Sequence, residues 1–408
     1  MCHTEHKGVN GRNTRLTQPQ CQSCHTRSIN NFASGHAPFS PNFPYDHPQS
    51  IRFDHVSHFG KHFAEPTVAD KVPPGRCVGC HVVGQGGRAL KPANFQTVCA
   101  GCHEEGIAKR DLVFFRWPEI ATNTIEPADV AKACSAPADA KAATPGVAAP
   151  AFSAVSSDPP TALGGFILGV PSDSVADYEK PIQDLARAMI TDGAEPLLAA
   201  ARDRVSSAQT DRLFAGLDTE MTRQATCAWA ANQEYAPPTK ATLPGWRAEA
   251  LDLRYTRPGH ADPVVKAWID FVAGVPTPEG SDAQVRLQRA RKELLSPDGP
   301  GQCAKCHTVS GQPDGTLAVS WKVQFRNAAP QTRFDHRPHL SLLGPEKTCT
   351  SCHQLGDETS EVGAKLKPIS LATCTECHTA SKIRDDCRTC HVYHQDHALK
   401  KRMVEDAH

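Results

Sequence analysis

Seven times in this chain two cysteines stand three positions apart with a histidine directly after the second. The sets are Cys21/Cys24/His25, Cys77/Cys80/His81, Cys99/Cys102/His103, Cys303/Cys306/His307, Cys349/Cys352/His353, Cys374/Cys377/His378 and Cys387/Cys390/His391. They take up 14 of the 17 cysteines. Paired thiols at this spacing suit zinc or an iron–sulfur cluster, but neither chemistry asks for a histidine in the next position. Histidine fills 20 of 408 positions and yet follows the second cysteine every time. C-x-x-C-H is the attachment signal for haem c. The two-residue spacer lets one turn present both thiols to the two vinyl groups on one porphyrin edge, and the next side chain reaches the iron as its proximal ligand. The expectation is seven covalent haems.

Thirteen histidines remain as candidate distal ligands or bystanders. Two stretches, Phe53-Asp54-His55-x-x-His58 and Phe334-Asp335-His336-x-x-His339, carry histidines at i and i+3. Such residues share a helix face one turn apart and can serve two neighbouring irons. Asp54 and Asp335 stand where an N-cap belongs, or could orient a ring nitrogen instead. His394 and His397 follow the last motif and could reach back, so that His336, His339, His394 and His397 match the four C-terminal motifs in number. In the N-terminal part His55 and His58 cover two sites, while His36, His47 and His62 compete for the third. His6 could serve a site elsewhere or in a neighbouring subunit. His260 is either a surface residue at a helix start or a ligand donated across a domain boundary. The opening Met1-Cys2-His3 reads as the end of an eighth C-x-x-C-H, with Cys2 as its second thioether and His3 as its proximal ligand; the alternative is a chance pair.

These motifs lie in an internal duplication. Cys21/Cys24/His25, Arg52-Phe53-Asp54-His55-x-x-His58, Cys77/Cys80/His81, Lys91-Pro92 and Cys99/Cys102/His103 recur in order as Cys303/Cys306/His307, Arg333-Phe334-Asp335-His336-x-x-His339, Cys349/Cys352/His353, Lys367-Pro368 and Cys374/Cys377/His378. Repeated order and spacing mark a duplicated structural unit. Between the copies, residues 121–160 hold 13 alanines and 6 prolines among 40 and read as an arm or linker. Helical spacing of apolar residues then appears over Asp177 to Met189, Glu195 to Val205, Asp218 to Trp229, Pro263 to Val272 and Ala283 to Leu295. Ser172, Asp173 and Ser174 offer an N-cap to the first of these, and Asp192-Gly193 could stop it. The resulting division is an N-terminal multihaem module (1–110), an Ala/Pro-rich linker or arm (111–171), a haem-free helical domain (172–300) and a C-terminal tetrahaem module (301–408). The fold class expected is mainly α with much irregular loop and few β-strands, the macrocycles serving as the cores of the two haem modules.

Haem c is attached after export, which places the protein in the periplasm or outside the cell, with a signal peptide upstream of the sequence given. There Cys134 and Cys227, the only cysteines of the insert, could pair; otherwise they are separate thiols or one bonds another chain. The formal net charge is zero, which points to neither nucleic acid nor an anionic surface. No apolar run is long enough to span a membrane; the best, Leu163 to Val170, is short and holds three glycines.

The F-x-H-x-x-H stretch ahead of clustered C-x-x-C-H motifs resembles the multihaem cytochromes c, in particular the cytochrome c3/c7-like modules, over residues 1–103 and 301–397. The resemblance implies low-potential electron transfer, with the motif histidines as proximal ligands and His55, His58, His336 and His339 as distal ligands. The large insert departs from the small members. The function expected is therefore electron transport along closely packed bis-histidine haems to other redox proteins or an extracellular acceptor, with self-association into a conductive filament as an extension. Two imidazoles leave iron no open position and favour a lower potential than a histidine/methionine set. The rival is a multihaem oxidoreductase acting on a small nitrogen or sulfur compound at an open iron. The insert could also be a docking module.

Overall fold

The structure is a computed structural model that describes residues 18–22, 31–45, 50–75, 77–84, 90–109, 111–116, 134, 161–169, 175–230, 244–249, 252–276, 280–297, 303–323, 332, 334–344, 348–356 and 366–391. It is mainly helical, with three small antiparallel sheets. The chain divides into two compact units, one built from 1–98 with 322–408 and the other from 99–321. The boundaries drawn from sequence at 110 and 300 both fall inside the second unit.

The second unit has a conventional apolar core. Helices Ala162–Leu168, Val175–Asp192, Glu195–Arg202, Ser207–Leu213, Thr219–Ala230, Pro263–Gly274 and Asp282–Leu295 surround a three-stranded sheet. In that sheet Asp252–Thr256 is central, flanked by Asp111–Arg116 and Gly245–Glu249. Phe114, Phe214, Trp246 and Trp268 meet edge to face or offset, with centroids 4.8–5.8 Å apart. Trp268 buries its indole completely and satisfies its N–H on the Leu213 carbonyl at 2.8 Å.

Local chemistry places the elements. Thr161 caps its helix by accepting from Gly164 N–H, and its hydroxyl donates to the Phe114 carbonyl, tying helix to sheet. Gly193 ends the long helix at φ 64°, where an added Cβ would lie 2.7 Å from the Thr219 carbonyl oxygen, so only glycine fits. Asp262 caps Pro263–Gly274 through Val265 N–H and accepts from the Tyr255 hydroxyl, joining that helix to the central strand.

Three sequence expectations are corrected here. The sheet was not anticipated, because the hairpin Gly245–Thr256 lay inside a stretch read as helical. Asp111–Arg116, assigned to the arm, is a core strand with Leu112, Phe114 and Phe115 buried. The apolar run at Leu163, also assigned to the arm, is a seven-residue helix packed into the core. Among the described residues no helix is long and apolar enough to cross a membrane. Cys134 and Cys227 form a disulfide with a Cα–Cα distance of 5.7 Å. The N-cap offered by Ser172 to Ser174 lies outside the described residues.

The first unit is built otherwise. Its elements are helices of at most eight residues and short strands, and among the described residues every buried hydrophobic side chain belongs to the second unit. Val78, Val82, Phe334, Leu342, Leu343, Leu355 and Ile383 of the first unit are all exposed.

Candidate metal-ligand pairs

Each described motif folds as one turn. Cys77–Cys80, Cys303–Cys306 and Cys387–Cys390 are four-residue helices, and Thr348–Cys352 carries a fourth pair. The turn closes with the histidine N–H donating to the carbonyl of the first cysteine, at 3.0 Å for His103, 2.7 Å for His307, 2.7 Å for His353, 2.9 Å for His378 and 2.8 Å for His391. Both thiols and the imidazole therefore leave one turn from neighbouring positions.

The candidate distal histidines sit on helices with a shared design. Asp54 caps His55–Gly60 through Ser57 N–H, and Asp335 caps His336–Leu343 through Arg337 N–H. The backbone carbonyls of those aspartates, not the carboxylates, accept from the second histidine: His58 Nδ1 lies 2.7 Å from Asp54 O and His339 Nδ1 2.9 Å from Asp335 O. Phenylalanine braces both rings of each pair. Phe53 stacks on His58 and meets His55 edge-on at 4.7 Å; Phe334 stacks on His339 and meets His336 edge-on at 4.8 Å.

Five motif histidines face a second histidine at nearly one separation. Ring centroids are 6.2 Å apart for His55 and His81, 6.3 Å for His336 and His353, 6.2 Å for His339 and His378, 6.1 Å for His36 and His391, and 6.1 Å for His260 and His307. That separation is nearly constant across the five pairs. A metal bound on one axis by both Nε2 atoms fits it: bonds of about 2.0 Å and ring radii of about 1.15 Å put the centroids about 6.3 Å apart. His58 and His62, at 5.5 Å and 68°, do not match.

The nitrogen chemistry agrees. An oxygen acceptor also occupies Nδ1 of His36 (Ala37 O), His307 (Ser320 O) and His378 (Arg384 O), while the Tyr45 hydroxyl meets Nδ1 of His353. A ring whose Nδ1–H is engaged presents its Nε2 lone pair outward, the tautomer a metal ligand needs. Burial pushes His55 and His353 down to about 4, each helped by its partner ring, and burial also lowers His81 and His260. Neutral imidazole is the ligating form. Burial acts on the thiols in the opposite sense, raising Cys80, Cys303, Cys306, Cys349, Cys352 and Cys387 and pushing Cys374 up to about 11. Among the described residues no three His, Cys, Asp or Glu side chains converge as a metal cage. An apolar cavity of about 260 Å³ lined by Phe59, Phe63, Val72 and Pro73 opens beside Cys80.

The motif Cys99/Cys102/His103 lies partly at the surface. Cys99 is half-buried, but Cys102 and His103 are exposed, on helix Ala100–Ala108. The physical reason is the helix that carries them: it buries none of its residues and has no apolar stripe to seat against the core. Cys102 therefore stands at the surface of the second unit. Cys306 and Cys377, the second cysteines of two other motifs, are exposed as well, while Cys303 and Cys374 before them are half-buried. Both belong to motifs whose histidine faces a second imidazole.

The arrangement differs from the sequence tally at two sites. His391 faces His36, which was set among candidates for an N-terminal site, and His307 faces His260, for which a surface position was the first alternative. Neither partner is adjacent to a motif in the chain, and only folding reveals them. His62 instead is exposed, its Nδ1 3.7 Å from a Glu65 carboxylate oxygen. Cys2, His3, His6, Cys24, His25, His47, His394 and His397 lie outside the described residues. Comparison with protein-family models, with curated proteins and with solved structures gives no match.

Proposed function

We propose that this chain is an exported multihaem c-type cytochrome that carries electrons along an array of bis-histidine haems, seven by motif and an eighth at Cys2/His3. The observation that carries the reading is the recurrence of imidazole pairs at 6.1–6.3 Å, each joining a C-x-x-C-H histidine to one from elsewhere in the chain. The first unit adds a second support. A unit whose described residues bury no hydrophobic side chain needs another apolar body at its centre, and a tetrapyrrole is one.

When bound, the group supplies one-electron chemistry at iron. The chain's own residues do the rest. The motif turn sets both thiols on one edge, the backbone carbonyls fix ring tautomers, Tyr45 engages Nδ1 of His353, and Phe53 and Phe334 hold each His-x-x-His face in one orientation. Two imidazoles on one axis leave no position for a substrate, which favours electron transfer over the oxidoreductase alternative at these five sites. Zero net charge leaves docking with a redox partner or a second copy to local surface rather than long-range attraction.

The test is an intact-mass measurement of the exported protein with a pyridine haemochrome assay. The expected result is seven or eight covalent tetrapyrroles per chain. Metal without tetrapyrrole, or neither, would overturn the reading.

A further inference from the structure

The two halves of the duplication touch through equivalent residues. Aligning the copies sets Cys77 opposite Cys349 and His81 opposite His353. Within the first unit the Cys77 and Cys349 side chains are neighbours, and so are His81 and His353. A residue that meets its own counterpart marks an isologous, two-fold contact; head-to-tail stacking would set it against a different place in the repeat.

The other pairs run on from that junction. His336 and His339 stand one turn apart on one helix, so the His336–His353 pair adjoins the His339–His378 pair. Phe32 then lies edge-on to both His378 and His36, with centroids at 6.3 and 5.2 Å, and links the His339–His378 pair to His36–His391. Beyond His391, Gln18 accepts from the Cys387 N–H at 3.2 Å, and Cys21, on the same turn as Gln18, neighbours Cys387. Cys352 neighbours Cys377, and Cys374 neighbours Cys390, in the same sequence.

We infer that the two copies join head to head at Cys77 and Cys349, and that the attachment cysteines of the first unit form one unbranched line in the order Cys77/Cys80, Cys349/Cys352, Cys374/Cys377, Cys387/Cys390 and then Cys21. This rests on the proposed haem reading and adds the route. The order in space is not the order along the chain. Three C-terminal sites bridge two N-terminal ones, so both ends of the line belong to the N-terminal copy, and an electron crossing it passes every C-terminal site of the unit.

The experiment is a double-deletion cycle read by Soret circular dichroism. Coupling between neighbouring chromophores gives a bisignate signal that fades steeply with distance. The variants C77A/C80A, C349A/C352A and C387A/C390A, singly and combined, isolate the signal of each pair as the departure from additivity. Intact mass counts the haems in each variant. The residual for Cys77/Cys80 with Cys349/Cys352 is expected to exceed that for Cys77/Cys80 with Cys387/Cys390 several-fold. Should deletions impair folding, the haem-retaining variants H55M, H336M and H36M give the same ranking through non-additive midpoint potentials. A wild-type chain without covalent haem overturns the proposed function and the line together. A full haem complement with an equal or larger residual for the remote pair overturns the line alone.

Discussion

Replacing His260 by alanine puts the pairing geometry under the sharpest test, because nothing in the sequence near His260 marks it as a ligand. Its ring faces His307 at 6.1 Å with planes 15° apart, within about 0.2 Å of the separation two imidazoles take across one metal. His307 is itself 8% exposed, and its Nδ1 is held 2.9 Å from the Ser320 carbonyl, so it stays in place when its partner is removed. The loop also survives, since Glu104 accepts from the backbone N–H of residue 260 at 3.0 Å, a bond alanine retains. On the proposed reading H260A would open one coordination position and no more. The dithionite-reduced variant should bind one more carbon monoxide per chain than the wild type, read from the Soret shift on titration, and H260A/H336A should bind two more. The contrast is H62A. His62 stands 5.5 Å from His58, about 0.8 Å short of the metal-spanning distance, and its loss should add no uptake. Equal uptake by H260A and wild type, or extra uptake by H62A, would refute the geometric argument.

Four further outcomes follow from individual contacts. Y45F removes the hydroxyl partner of His353 Nδ1; with a less basic ligand the site at Cys349/Cys352 should rise in midpoint potential, and an unchanged redox titration would count against an orienting role. C134S/C227S frees a loop of 93 residues, a chain-entropy loss of about 4.6 kcal/mol, and should lower the urea midpoint of the near-ultraviolet dichroism from the second unit's tryptophans; an unmoved midpoint would contradict it. Burial raises the Glu293 carboxyl above its ordinary value of 4.5, so the folded state favours its protonated form, and its destabilisation is absent below that value and grows as pH rises through the shifted one. E293Q should accordingly raise stability at neutral pH and flatten its dependence above pH 4.5, whereas a loss at pH 7 would reverse the sign of the argument. Chain exported without haem attachment should lose 1–98 and 322–408 to limited proteolysis while 99–321 persists; equal protection of both units would show that the first has a protein core after all.

What could be read from the sequence was whatever repeats or is local. C-x-x-C-H is a one-turn signal, and each described motif is one turn. How far each thiol is covered is not local: Cys102 and Cys80 are each the second cysteine of their own C-x-x-C-H, yet one is exposed and the other half-buried, because burial depends on what packs against the turn. Phe-Asp-His-x-x-His specifies its own cap and helix face, and the structure gives both copies the same Asp cap and the same Phe brace. His36 and His260 were ambiguous because a lone histidine has no period and its partner lies in a distant part of the chain. The missed hairpin did carry a signal. Trp246 and Ala248 alternate with polar residues, as do Leu253 and Tyr255, the two-residue period of a half-buried strand. The turn between them lacks the Asn-Gly or Asp-Gly that would have announced it. Leu112 to Phe115 was overlooked because the alanines and prolines that follow it dominate the composition of the segment.

The contrast between the two units gives the duplication a physical meaning. In the second unit, helices and strands bury one another, and sequence periodicity suffices to specify the packing. In the first, helices of four to eight residues are too short to be stable through backbone hydrogen bonds alone, and the described residues bury no apolar side chain. Order there must come from pairwise ties between distant positions, and on the proposed reading the imidazole pairs would be such ties: His36 with His391 and His55 with His81 would each close a loop of chain. A fold held by ligand pairs tolerates short, irregular elements as long as the paired residues and their braces stay in place. That accounts for why the repeat keeps the cysteines, histidines, capping aspartate and bracing phenylalanine in register, while the intervening residues differ between the copies.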